Sequence, residues 1–216
     1  MRDSPTSERA GRTLAVAGLT LLATAAVLAA FLALGALIDE PFGEFSRDAA
    51  AVLHGPFYVS YLSHLGSLVW NLAAVVALFS AAVLRRAGYV EGFRLLFAGG
   101  MITAAMALDD LLLLHEGASE VLGLSEGMVY GVYGILIVVF VVAFRRRLGH
   151  AVLLIAGALV FWVASAGADL AVDQGQVSFV AEDGLKAAGV ALWVVMLVRL
   201  AWEEITAAVP AAREPI

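Results

Sequence analysis

Cysteine is absent from this chain of 216 residues. That excludes disulfides, thiolate metal sites and a cysteine nucleophile. Charge is also scarce. Asp, Glu, Lys and Arg make up 15% of the residues, against about 25% in an ordinary soluble domain. Lys186 is the only lysine, and no basic run interleaved with aromatics occurs, so nothing points to nucleic acid. Neither HExxH nor HxxxH is present, which removes the two most compact histidine signatures of a zinc site. No segment alternates polar and apolar residues with period two, which argues against a β-barrel.

Apolar sequence dominates instead. The chain is 62% hydrophobic, with a mean hydropathy of +0.93. A soluble core of this length could not hide so much apolar surface. A hydrocarbon layer of ~30 Å takes about 20 residues of helix. Six runs rich in Ala, Leu and Val meet that length: 13–37, 62–84, 95–115, 127–144, 151–171 and 181–201. The expected fold is all-α, a single polytopic bundle of six transmembrane helices over 13–202, with tails at 1–12 and 203–216. The first run, at about 25 residues, exceeds the usual 7–15-residue core of a cleaved signal peptide and is expected to be retained. The connection 38–61 carries "GEFSRDAAAVLHG", which suits a short interfacial helix.

Eleven of the thirteen basic residues fall on one side of such a bundle, at Arg2, Arg9, Arg12, Arg85, Arg86, Arg94, Arg145, Arg146, Arg147, Arg199 and Arg213. By the positive-inside rule both termini are cytoplasmic and the chain sits in the cell membrane.

The arginines also give a depth scale. Asp109 and Asp110 lie 15 and 16 residues beyond Arg94, about 22–24 Å along a helix. By the same rise Lys186 lies about 20 Å from Arg199, Asn71 about 21 Å from Arg85, Tyr130 about 22 Å from Arg145 and Ser165 about 22 Å from His150. Five helices therefore bring a polar side chain to one layer. Beyond it comes a wetter layer of His64, His115, Glu116, Asp169, Asp173, Glu182 and Asp183.

Charge at this depth is costly and by default functional. Asp109 and Asp110 are the candidate catalytic carboxylates, with Lys186 as the cation that pairs with one of them. Asn71, Tyr130, Ser165, Glu182 and Asp183 are candidate pocket residues. His64, His115, Glu116, Asp169 and Asp173 are candidate ligands for a divalent metal such as zinc or iron. Trp70, Trp162, Trp193 and Trp202 read as packing or interface anchors. Gly127 and Gly131 read as a close helix contact, and Glu203 and Glu204 as solvated.

"LDDLLLLHE" on the third helix and "EDGLKAAGVALW" on the last resemble a type of uncharacterised prokaryotic six-helix membrane protein. The likeness covers the third to sixth helices. A looser resemblance is to the alkaline-ceramidase and adiponectin-receptor hydrolases, which implies intramembrane zinc, although the last helix here lacks their HxxxH pair. The lone lysine on the last helix also resembles the Schiff-base lysine of microbial rhodopsins, which have seven helices.

Three functional classes follow. One is a metal-dependent hydrolase of a lipid-like substrate, in which a metal-bound water loses its proton to a carboxylate. Another is a proton- or cation-coupled carrier of a small solute. The last is a non-catalytic accessory subunit in a homo-oligomer or larger membrane complex.

Overall fold

The computed structural model describes residues 5–40, 53–56, 61–114, 123, 125–171 and 176–208. Six helices are described: α1 (Pro5–Ile38), α2 (Tyr61–Arg86), α3 (Val90–Leu112), α4 (Glu126–Leu148), α5 (Ala151–Ala171) and α6 (Gln176–Ala208). The protein is all-α, and five of the six are long and apolar enough to cross a membrane. α5 has 21 residues, and Ala151–Gly167 is its described apolar stretch. The segment 41–52, which holds most of the expected interfacial helix, lies outside the described residues.

The chain divides into two compact units, Met1–Val59 and Ser60–Ile216. In the first, α1 opens on Pro5, whose missing N–H costs nothing at a helix start. The helix ends where Asp39 turns to φ 61° and the Glu40 N–H reaches back to the Gly35 carbonyl at 2.9 Å. Aspartate is among the few residue types that tolerate this left-handed backbone.

The second unit is a bundle of α2 to α6, in which α2 packs closely along α3 and α5 along α6. α2 closes on Gly88 at φ +84°. There the Tyr89 N–H donates to the Leu84 carbonyl and the Gly88 N–H to that of Arg85, the paired bonds of a Schellman end. α3 starts at once, so α2 and α3 lie antiparallel and in long contact. α4 and α5 are joined through Gly149 and His150. α6 packs along α5 and α2 and also touches α3.

The core is held by a column of rings. Trp70 of α2 stacks on Trp162 of α5 at 5.6 Å between centroids. Trp162 meets Trp193 of α6 at 5.8 Å, and Trp193 meets Phe140 of α4 at 6.4 Å. The Trp193 indole N–H donates to Thr103 Oγ1 of α3 at 2.8 Å, so all five helices are tied to one column. Thr103 in turn donates to the Gly99 carbonyl at 2.7 Å, which satisfies its hydroxyl within α3. Gly189 is needed here. A Cβ at that position would strike the Trp162 indole nitrogen. Trp202 stands apart and is exposed.

The expected contact at Gly127 and Gly131 is not made. Among the described residues no atom lies within 4 Å of a Cβ built at Gly131, and at Gly127 only Ser125 of the same cap does. The close approaches occur on α3 instead. Gly99 admits Leu197 and Phe140, and Gly100 admits Leu78. A small-residue spacing says that two backbones can approach, and packing elsewhere decides whether they do.

Candidate functional site

The two ends of the α2–α6 bundle carry different chemistry. At one end Arg147 of α4 is gripped by two carboxylates. Its Nη1 reaches both oxygens of Glu204 at 2.8 Å, and its Nη2 and Nε reach Glu91 Oε2 at 2.7 and 3.0 Å. The guanidinium fork suits this double engagement in a way an ammonium would not. A Cβ on Gly92 would lie 2.6 Å from Glu204 Oε2, so glycine keeps the space open. Glu204 is thus a partner rather than a solvated charge, a correction that sequence spacing could not supply. Glu203 stays exposed and, among the described residues, pairs with Arg199, four residues before it on α6.

The opposite end holds the candidate site. α3 ends with Leu113 in the left-handed region, φ 50° and ψ 40°, where its N–H caps the Asp109 carbonyl. Asp109 and Asp110 therefore fall in the last turn of α3, closer to the helix end than the expected span 95–115 implied. Negative charge at a helix C-terminus opposes the helix dipole. A cation supplied from another helix offsets this. Lys186 Nζ of α6 lies 2.7 Å from Asp110 Oδ1. Ser67 of α2 donates to Asp110 Oδ2 at 3.0 Å. Both oxygens of Asp110 are thereby engaged, by side chains from two further helices.

Asp109 is 6% exposed and takes no part in the Lys186 pair. Neighbours on a helix diverge by about 100°, so one lysine cannot serve both. Close to Asp109 in the chain, the Tyr133 hydroxyl of α4 donates to the Ala105 carbonyl of α3 at 3.5 Å.

The pair sits in an open groove of about 240 Å³ between α2 and α6. Its polar end is made by Ser63, Asp110, Asp183 and Lys186. Leu65, Val69, Trp70, Val190 and Ala191 form the apolar walls, and Gly66 and Ala187 keep it wide. Polar residues come first along both helices and apolar ones follow. From Asp183 to Ala191 is eight residues, so the groove runs about 12 Å from its polar mouth toward the tryptophan column.

The other expected pocket residues are distributed around this groove rather than in it. Asn71 donates to the Ser67 carbonyl at 2.8 Å and so braces the serine that holds Asp110. Ser165 of α5 donates to the Glu182 carbonyl of α6 at 2.9 Å, which ties the two helices beside the site. Glu182 is half-buried, and Tyr130 lies on an exposed face of α4. Among the candidate metal ligands, His64 is exposed. His115, Glu116 and Asp173, and the side chain of Asp169, lie outside the described residues. Among the described residues no three of His, Cys, Asp and Glu gather closely enough to hold a metal ion. Ser67 was missed in the sequence. It lies one turn before Asn71 on α2, the one signal that pointed to it.

No curated protein and no solved structure matches the chain. The chain belongs to the family described as a domain of unknown function, DUF8692, which matches residues 14–200.

Proposed function

We propose that the chain is a multi-pass protein of the cell membrane, with both termini cytoplasmic, that binds a lipid-like amphiphile between α2 and α6. The arginine-rich end of the bundle faces the cytoplasm in this reading, and the Asp110–Lys186 end faces outward. The observation that carries it is the polarity of the groove. Charge and hydroxyl lie at the mouth, and apolar walls lead about 12 Å inward. An amphiphile in the outer leaflet has the same order, head at the interface and chain toward the midplane.

The size of the groove supports a lipid over a fully enclosed solute. Its 240 Å³ falls below the ~300–1,000 Å³ of pockets that swallow a whole small ligand. A head and the first part of one chain fit, and the rest of the molecule extends into the bilayer. Trp70, stacked on Trp162, lines the groove on its inward side, which supports binding over passage through the bundle and sets the carrier reading second. Among the described residues Asp110 and Asp183 are the acidic groups that line this groove, short of the three protein ligands typical of a catalytic zinc, which sets metal-assisted hydrolysis behind binding.

Purification in mild detergent tests the reading. About one amphiphile per chain is expected to remain bound. Gly66→Leu should expel it, because a Cβ at Gly66 meets no atom of the described residues within 4 Å and the added side chain fills the groove. Unchanged lipid content in a well-folded Gly66→Leu variant would refute the groove as the site.

A further inference from the structure

We propose that the occupant of this groove is a zwitterionic amphiphile whose head carries a phosphate and a primary ammonium, the phosphate at Lys186 and the ammonium at Asp183. The inference rests on the groove being a lipid site and adds the identity of the head. Two charged groups are open at the mouth, and they have opposite sign. Lys186 spends one donor on Asp110 and is still 49% exposed. An ammonium has three donors, so two remain for a ligand. Asp183 is exposed, lines the same mouth and makes no ion pair among the described residues. Three residues apart on α6, the two share a face, about 5–6 Å between Cβ atoms.

Asp110 does not enter this recognition directly. Both its oxygens are engaged, by Lys186 and Ser67, and its role is to fix the ammonium at the mouth. The choice of head follows by comparing charges. A purely anionic head would satisfy Lys186 and be repelled by Asp183. A purely cationic head would satisfy Asp183 and face Lys186. A phosphate and an ammonium two carbons apart answer both. A primary ammonium is required because the Asp183 carboxylate can then accept a charge-assisted hydrogen bond. A quaternary head has no N–H to give.

The test is competitive lipid retention by the full chain. Protein is equilibrated in mixed micelles with equal amounts of phosphatidylethanolamine, phosphatidylcholine and phosphatidylglycerol of one acyl composition, and bound lipid is counted by native mass spectrometry. The ethanolamine lipid should exceed each of the others by about tenfold or more, the lower end for one hydrogen bond to a charged group. Asp183→Asn, at an exposed position, should erase the preference over phosphatidylglycerol, so that the two lipids are retained alike. Asp183→Glu should restore it. Retention that Gly66→Leu removes, with no ethanolamine preference in the wild type or with the preference intact in Asp183→Asn, overturns the head assignment alone. Retention that Gly66→Leu leaves untouched overturns the groove itself, and this inference with it.

Discussion

Lys186 and Asp110 stand 76 positions apart in the chain and meet at 2.7 Å across α6 and α3. The Asp110 side chain is 15% exposed and that of Lys186 49%. This asymmetry sets what the pair can do. Breaking a dry buried pair costs on the order of 3–5 kcal/mol. Here water reaches the lysine, which weakens the pair. Lys186→Met is expected to cost about 1–2 kcal/mol, the ~1.5–3 kcal/mol of a hydrogen bond to a charged group lowered by exposure. Adding Asp110→Asn should recover much of that loss, whereas Asp109→Asn should not. Thermal unfolding of the two double-mutant cycles decides it, and equal coupling for both aspartates contradicts the geometry.

Thr103 and Trp193 give a second expectation. The bond between them is fully buried. Thr103→Val keeps the shape and strands the indole N–H, at about 1–3 kcal/mol. Thr103→Ser keeps the hydroxyl and should lose much less. Because lipid tails are as apolar as leucine, a membrane bundle is held by packing and polar contacts more than by the hydrophobic effect. Loss at this one bond should therefore be visible as a lower unfolding temperature in detergent.

Arg147 makes a third. Arg147→Lys retains the charge and loses the fork that reaches Glu91 and Glu204 together. A loss of about 1–2 kcal/mol is expected, larger at low salt than at high salt because the cluster is partly exposed. Gly92→Ala should reproduce part of it by displacing the Glu204 carboxylate. If Arg147→Lys unfolds like the wild type at every salt concentration, the cluster contributes nothing.

Orientation is checked by reporter fusions. Fusions after residues 90, 148 and 210 should read cytoplasmic, and those after 45, 120 and 176 external. An external signal at residue 148 would invert the assignment of the arginine-rich end.

The helices were legible because length and apolarity are one-dimensional properties. The partnership of Lys186 with an aspartate of α3 was legible for a related reason. Depth along a helix is counted in residues, and one end of each of the two helices is marked by an arginine, Arg94 on α3 and Arg199 on α6. Rotation about the helix axis is not counted that way, which is why Asp110 could not be separated from Asp109. The same gap hid Ser67, left Tyr130 looking like a pocket residue and made Arg145, Arg146 and Arg147 indistinguishable. The tryptophans read as packing residues from their type. Their joint column, and the hydroxyl of Thr103 beneath it, needed the relative rotation of five helices.

The central claim is that an amphiphile lies between α2 and α6 with its chain toward Trp70. A lipid carrying a photoactivatable diazirine near the start of its acyl chain tests this most directly. After irradiation and digestion, labels should fall on the groove segments, residues 65–70 of α2 and 187–191 of α6, and Gly66→Leu should abolish them. Labels spread over the exposed apolar face of α4, with none on these two segments, would contradict the account.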